Sequence, residues 1–389
     1  MKRRGAREAT MDMMTELLEA VSADVAARRI PGAVLAITDN GSLIDFQTVG
    51  TLDPHGARPM PGDAIFRVYS MTKVFTALAT LLMVADNRLR LADPVTRWLP
   101  YFTGTRVEDS GALRPPTRPL LVEDLMRQTA GIGGGYHTSA NIKPYYEQAE
   151  LRKYDHKAEL PTLDDVVRKM ARQPLATDPG TVWEYGMAMD VLGRILELAD
   201  NRPLDGIIEQ RVCRPLGLRD TGFSVPAEDM DRVAEPFVTP PGLVTHRERP
   251  PWLSAGSGGY STAIDFAKLL CAIASDHDGQ LAIPALGPIT RQLFTDQIGP
   301  LAGGGPDYIP GPGYGFSYGL HVPSNDPTWA ALDPNAQTVG WLGRAATSFV
   351  HHIPSGVGVV LMTQCYGRAV HYRDQVRSIV ARHQATSWI

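Results

Sequence analysis

Residues 66–85 read FRVYSMTKVFTALATLLMVA, and the meaning of Ser70-Met71-Thr72-Lys73 inside them decides the fold. From Thr72 onward the stretch is apolar nearly all round, through Val74, Phe75, Ala77, Leu78, Leu81, Leu82, Met83 and Val84. At helical period such a segment is buried on every side. A serine and a lysine therefore stand on the first turn of a core helix. Burying a lysine is costly unless it is paired or neutral. At i and i+3 the two side chains share a face, which brings the amine within hydrogen-bond reach of the hydroxyl. That pairing is a nucleophile with its base. Lysine is scarce here, 7 in the chain against 31 arginines, and no other serine has one three residues on. The plainer account makes Ser70 an N-cap and Lys73 a side chain reaching out from a helix end.

Working outward, Met11 to Arg28 alternates at helical period. Ala33–Ile37 and Leu43–Val49 read as strands joined by Asp39-Asn40-Gly41, the turn chemistry of an antiparallel hairpin. From about residue 101 to 251 the texture is helical, with patterns over Val122–Arg127, Leu163–Arg172, Met187–Leu198 and Leu204–Val212 between Gly- and Pro-rich loops, and no alternating strand. Thr262 and Asp265 have capping-box spacing for a helix ending near Ile273. A loop from Gly299 to Gly313 is expected to border the active-site mouth. Strands Tyr314–Val322, Ala346–Ile353 and Gly356–Thr363 and a helix His371–His383 close the chain. The expected fold class is α+β: one antiparallel sheet built from both chain ends (residues 1–100 and 252–389), flanked by helices, with a mostly helical insertion over 101–251 and the active site between.

At 389 residues with 43% hydrophobic and 21% charged residues, the composition is that of a globular protein. A net charge of −4 provides no basic footprint for nucleic acid or for a membrane surface. Cys213, Cys271 and Cys365 are too far apart for a metal knuckle or a disulfide framework. Asp12, Glu16 and Glu19 interrupt what would have to be a signal peptide's apolar core. These features lead to the expectation of a reduced, cytoplasmic protein.

The order of these pieces resembles the serine β-lactamase and penicillin-binding-protein superfamily, within it the class C branch, and most of all the family VIII carboxylesterases. Beside the Ser-x-x-Lys, the resemblance is carried by Leu91–Pro100, by Leu125–Gly131 (LMRQTAG), by Pro215–Phe223 (PLGLRDTGF) and by the glycine turn at Gly256. It implies that Tyr185, ahead of the helical run at Asp190–Arg194, faces Ser70 and Lys73 as the third catalytic group. Lactamases carry an asparagine two residues beyond that tyrosine, where this chain has Met187. Their Lys-Thr-Gly strand is matched by Gly340-Trp341-Leu342-Gly343-Arg344, with Trp341 in place of the lysine that binds a substrate carboxylate. Neutral acyl esters suit such a pocket better than β-lactams. The resemblance further implies an oxyanion hole made by the backbone N–H groups of Ser70 and Arg344, close backbone approach of substrate at Gly343, and a substrate pocket including Trp341 and Met187; Tyr136 is a further pocket candidate because it follows the glycine-rich loop Gly131–Gly135 after LMRQTAG. It implies no organic cofactor, no metal and a small-molecule ester as partner.

Two other patterns compete. Gly315-Phe316-Ser317-Tyr318-Gly319 matches G-x-S-x-G, but alternation continues through Leu320 and Val322, so Ser317 reads as a strand residue and not as a nucleophile elbow. His351 and His352 are adjacent on a strand and point to opposite faces, which is unsuited to a metal. Asp190 either faces the site or complements its helix N-terminus, and the second suffices to explain it. A β-lactamase or D-amino-acid peptidase, an acyltransferase and a non-catalytic penicillin-binding-type protein remain as alternatives.

Overall fold

The computed structural model describes all residues except 1, 57, 135–137, 152–160, 239–248, 278–290, 306 and 386–389. Tyr136 therefore lies outside the described residues. The strands are Gly32–Asp39 (β1), Ser42–Gly50 (β2), Phe66–Arg67 (β3), Val107–Asp109 (β4), Ala112–Arg114 (β5), Tyr260–Ser261 (β6), Tyr314–Phe316 (β7), His321–Pro323 (β8), Thr338–Leu342 (β9), Ser348–His352 (β10) and Val357–Thr363 (β11). Seven of them form one sheet in the order β2-β1-β11-β10-β9-β8-β7, antiparallel throughout. The first strand thus pairs with the last, Ala33 opposite Thr363 and Asp39 opposite Val357. That closure is why a sheet from both chain ends could be read from sequence.

The central strands are buried on both faces, and alternation sorts their side chains between two layers. Ala33, Leu35, Ile37, Val359 and Leu361 meet Met13, Leu17 and Val21 of the helix Lys2–Ala26 and Tyr372, Val376 and Ile379 of the helix Ala369–Ala385. Val34, Ala36, Phe349, Val360 and Met362 face the opposite way, into a continuous apolar core shared with the helix Thr72–Ala85. Twelve residues of that helix, Thr72 to Met83, are buried. It passes through the core, packed against the helices Ala188–Asp200 and Leu204–Ile208 on one side, while Phe75 meets Phe266 of the helix Ala263–His277, which lies on the sheet.

The structure differs from the sequence expectation in three elements. Tyr314–Val322 is a hairpin and not one strand: β7 and β8 are joined by a turn in which the Ser317 N–H donates to the Leu320 carbonyl at 2.8 Å and Gly319 has φ +89°. Only glycine takes that conformation at no steric cost. Second, β9 is a strand in its own right, although Gly340 interrupts its apolar run. A Cβ at Gly340 would stand 2.1 Å from the Phe349 carbonyl oxygen of the neighbouring strand, so the residue that weakens the pattern is the one that lets β9 and β10 pair. Third, the helical stretch contains the hairpin β4–β5, turned by Ser110 and Gly111 at φ +55° and +93°. Its three-residue strands are too short to show a period.

Two family-like motifs gain a structural role. Asp265 starts the helix Ala263–His277, its N–H donating to Thr262 Oγ1 at 3.1 Å, while its carboxylate accepts the Asp220 N–H at 2.7 Å. PLGLRDTGF is thereby tied to that helix, and Gly222 bridges Tyr260 in β6.

Candidate active site

Ser70 lies in a 3₁₀ turn, Tyr69–Met71, that runs directly into the helix beginning at Thr72. The turn hangs from the β3–β6 pair, with the Val68 N–H donating to the Gly259 carbonyl at 3.0 Å. Tyr69 has φ +44°, a strained conformation for a side chain with a Cβ. Its neighbours hold it there: Thr72 Oγ1 donates to the Tyr69 carbonyl at 2.5 Å and accepts the Gly259 N–H at 2.9 Å, and the Tyr69 hydroxyl meets that of Tyr366 at 2.5 Å. Ser70 is thus two residues upstream of the first residue of the α-helix that the sequence assigned to it, with the i to i+3 relation to Lys73 intact.

Lys73 is 3% exposed. Its ammonium donates to the Gly256 carbonyl at 2.8 Å and to Ser70 Oγ at 3.4 Å, and lies 4.6 Å from the centroid of the Tyr185 ring, on its face. Burial that would be prohibitive for a lone ammonium is compensated by a carbonyl, a hydroxyl and a π-face. Gly256 matters for space: a Cβ there would lie 3.3 Å from Lys73 Nζ and 3.7 Å from Asp190 Oδ2. Gly319, in the β7–β8 turn, backs the same side chain, since a Cβ there would be 3.1 Å from Lys73 Cβ.

Tyr185 is delivered by a loop before the helix Ala188–Asp200, and that loop is braced from LMRQTAG. The Gly186 N–H donates to Gln128 Oε1 at 2.9 Å, the Glu184 N–H to the Gln128 carbonyl at 2.8 Å, and the Met187 N–H to the Gly133 carbonyl at 3.2 Å. On the other side the ring of Tyr185 packs against Trp183 at 5.8 Å and Trp341 at 5.6 Å. The Trp341 indole N–H donates to the Tyr185 phenol at 3.3 Å.

Ser70, Lys73, Tyr185, Met187 and Arg344 all line one cleft of about 580 Å³, together with Tyr69, Trp252, Ile309, Leu342 and Tyr366. Two pocket expectations need correction. Trp341 is 1% exposed and does not line the cleft. On β9 its neighbour Leu342 takes the lining position, because successive side chains leave opposite faces of a strand. Gly343 does not line the cleft either. A Cβ there would meet Thr347 Oγ1 at 2.2 Å and the Val68 carbonyl oxygen at 2.4 Å, so its bareness serves the approach of the chain after β9 to the segment ahead of Ser70. Ile309, from the Gly299–Gly313 loop, does reach the cleft.

Asp190 faces the site. It is buried, lines the cleft and accepts the Ala255 N–H at 3.0 Å, the residue preceding the carbonyl that holds Lys73. Burial pushes its carboxyl up to about 6, against Ser254, the Lys73 charge and Trp252, which favour the ionised form. The helix-terminus account preferred from sequence is therefore incomplete. Gln128 has no role in the sequence reading beyond its place in LMRQTAG; a polar residue between an apolar helix end and a Thr-Ala-Gly turn is the signal that points to it.

Ser317 is fully buried and its hydroxyl donates to the Leu293 carbonyl at 2.6 Å. Among the described residues no group of three His, Cys, Asp or Glu is placed to hold a metal ion, and no helix is long and apolar enough to cross a membrane.

The beta-lactamase family model matches residues 17–382. Esterase EstB of Burkholderia gladioli is 31% identical over 366 residues, covering 86% of each chain. Lovastatin esterase of Penicillium rubens is 28% identical over 70% of this chain and 71% of its own. The solved structure of EstCE1, described as a hydrolase with promiscuous acyltransferase activity, superposes with a TM-score of 0.77 at 27% identity, over 95% of this chain and 99% of that one.

Proposed function

Since the chain belongs to the beta-lactamase family, we propose that it is a serine carboxylesterase, acting on short acyl esters through an acyl-enzyme. The observation that carries this reading is Lys73 Nζ, set between Ser70 Oγ at 3.4 Å and the Tyr185 ring at 4.6 Å beside the cleft. Ser70 Oγ attacks the ester carbonyl carbon, and its proton passes to the Lys73–Tyr185 pair, which in the reactive state holds one proton fewer than an ammonium with a phenol and then gives that proton to the departing alkoxide. Water then enters, gives a proton to the same pair and attacks the acyl carbon, and Ser70 leaves reprotonated. The N–H groups of Ser70 and Arg344 stabilise the oxyanion in both steps, each donor supplying about 2.7–4 kcal/mol. The N-terminus of the helix at Thr72 adds its positive dipole end.

Ester preference over β-lactam draws support from Met187, which lines the cleft where the lactamases it resembles carry an asparagine, and from Trp341, which stands where they carry a lysine and presents no charge. A second reading, acyl transfer to an alcohol, draws support from what EstCE1 is said to do. The test is nitrophenolate release from p-nitrophenyl butyrate by wild type and by Ser70→Ala of equal fold, with and without a primary alcohol. Loss of turnover in the variant is expected, and retention of most of the rate would overturn the reading. Transfer would show as butyrate ester formed in preference to butyrate.

A further inference from the structure

We propose that Gln128 is a positioning residue that sets Tyr185, acting through the backbone on both sides of it; this rests on the catalytic reading of Tyr185. Gln128 is fully buried and adopts φ +59° at the end of the helix Val122–Arg127, a left-handed conformation uncommon for a residue with a Cβ. That turn aims two acceptors the same way. Its carbonyl takes the Glu184 N–H at 2.8 Å and its side-chain Oε1 takes the Gly186 N–H at 2.9 Å. The N–H groups of the residues before and after Tyr185 are thereby fixed to one residue, which sets the ring whose face lies 4.6 Å from Lys73 Nζ.

Packing makes the clamp one-sided. A Cβ at Gly186 would lie 2.2 Å from the Ile132 carbonyl oxygen, so the loop presses directly on 131–134, and Gln128 supplies the acceptor that this close approach needs. Any residue at 128 keeps the carbonyl contact; only a side chain of glutamine's reach keeps the second. Without it the Gly186 N–H loses its acceptor in a partly buried place, and the cheapest relief is a rotation of the peptide that carries Tyr185. A displacement of about 1 Å in a catalytic group costs on the order of 100-fold in rate.

The experiment compares wild type, Gln128→Met, Tyr185→Phe and the double variant on p-nitrophenyl butyrate, with active sites titrated by a fluorophosphonate and unfolding followed in parallel. Gln128→Met keeps side-chain length and removes the acceptor. The expected result is a kcat per titrated site at least 10-fold lower, a KM within about twofold, and no further loss when the change is made in Tyr185→Phe. Where Tyr185→Phe leaves no turnover above buffer, labelling rates carry the same four-way comparison. The inference is overturned by unchanged kcat per site, or by the same loss in both backgrounds. Wild-type activity of Tyr185→Phe itself would instead sink the catalytic reading of Tyr185, whatever Gln128→Met does.

Discussion

Ser70 and Ser317 each sit in a sequence pattern associated with a nucleophile, and the fold treats them in opposite ways. Ser70 lines the cleft with Lys73 Nζ 3.4 Å from its oxygen, so its hydroxyl has an amine base at hand and room for a substrate carbon. Ser317 is fully buried and spends its proton on the Leu293 carbonyl at 2.6 Å. A serine hydroxyl is therefore judged by what it donates to and by whether a carbonyl carbon can reach it. The two regions also touch, since the turn after Ser317 places Gly319 against Lys73.

The largest expected effect breaks this comparison if it fails. A fluorophosphonate should add one equivalent to wild type and to Ser317→Ala and none to Ser70→Ala, read by intact mass; label on Ser317 would reverse the assignment. Next comes Asp190, on the Ser70 side. Its pKa is raised from 3.8 to about 6 by burial, so the folded state holds the proton more tightly than the unfolded chain. The stability this provides is full below pH 3.8 and is lost as pH rises to about 6. At 1.36 kcal/mol per unit the loss amounts to about 3 kcal/mol. Denaturant melts of wild type against Asp190→Asn should show that slope between pH 4 and 6 in the difference and none above.

Gly319→Ala sharpens the link between the regions. The added methyl meets φ +89° and Lys73 Cβ at 3.1 Å, so a destabilisation of about 1–3 kcal/mol with a severalfold fall in kcat is expected. Equal activity at lower stability would mean that the turn carries fold alone. The smallest effect is Ser317→Ala, which leaves the Leu293 carbonyl without its donor: about 1–2 kcal/mol less stable in the same melts, with unchanged kcat/KM.

Much of the fold was legible because it follows short-range patterns. Asp39-Asn40-Gly41 announces the first hairpin, and the unbroken apolar run after Thr72 announces the buried helix. What failed to show was hidden by glycine or by brevity. Gly340 breaks the apolar run of β9 while permitting its pairing, Gly319 turns an alternating segment back on itself, and β4 and β5 are three residues each.

The same division runs through the site. The sequence alone determined that Ser70 and Lys73 meet, since residues at i and i+3 on consecutive helical turns share a face whatever surrounds them. It could propose Tyr185, Trp341, Met187 and Gly343 as neighbours, but not which way they point. Tertiary structure decided that Trp341 turns inward to hold the Tyr185 phenol while Leu342 lines the cleft, that Gly343 makes room for Val68, and that Asp190 faces Lys73's side of the cleft. It also decided that Gln128, 57 residues ahead of Tyr185 in the chain, flanks it in space. Such contacts depend on how separately folded segments pack, and packing fixes orientation only when every partner is in place.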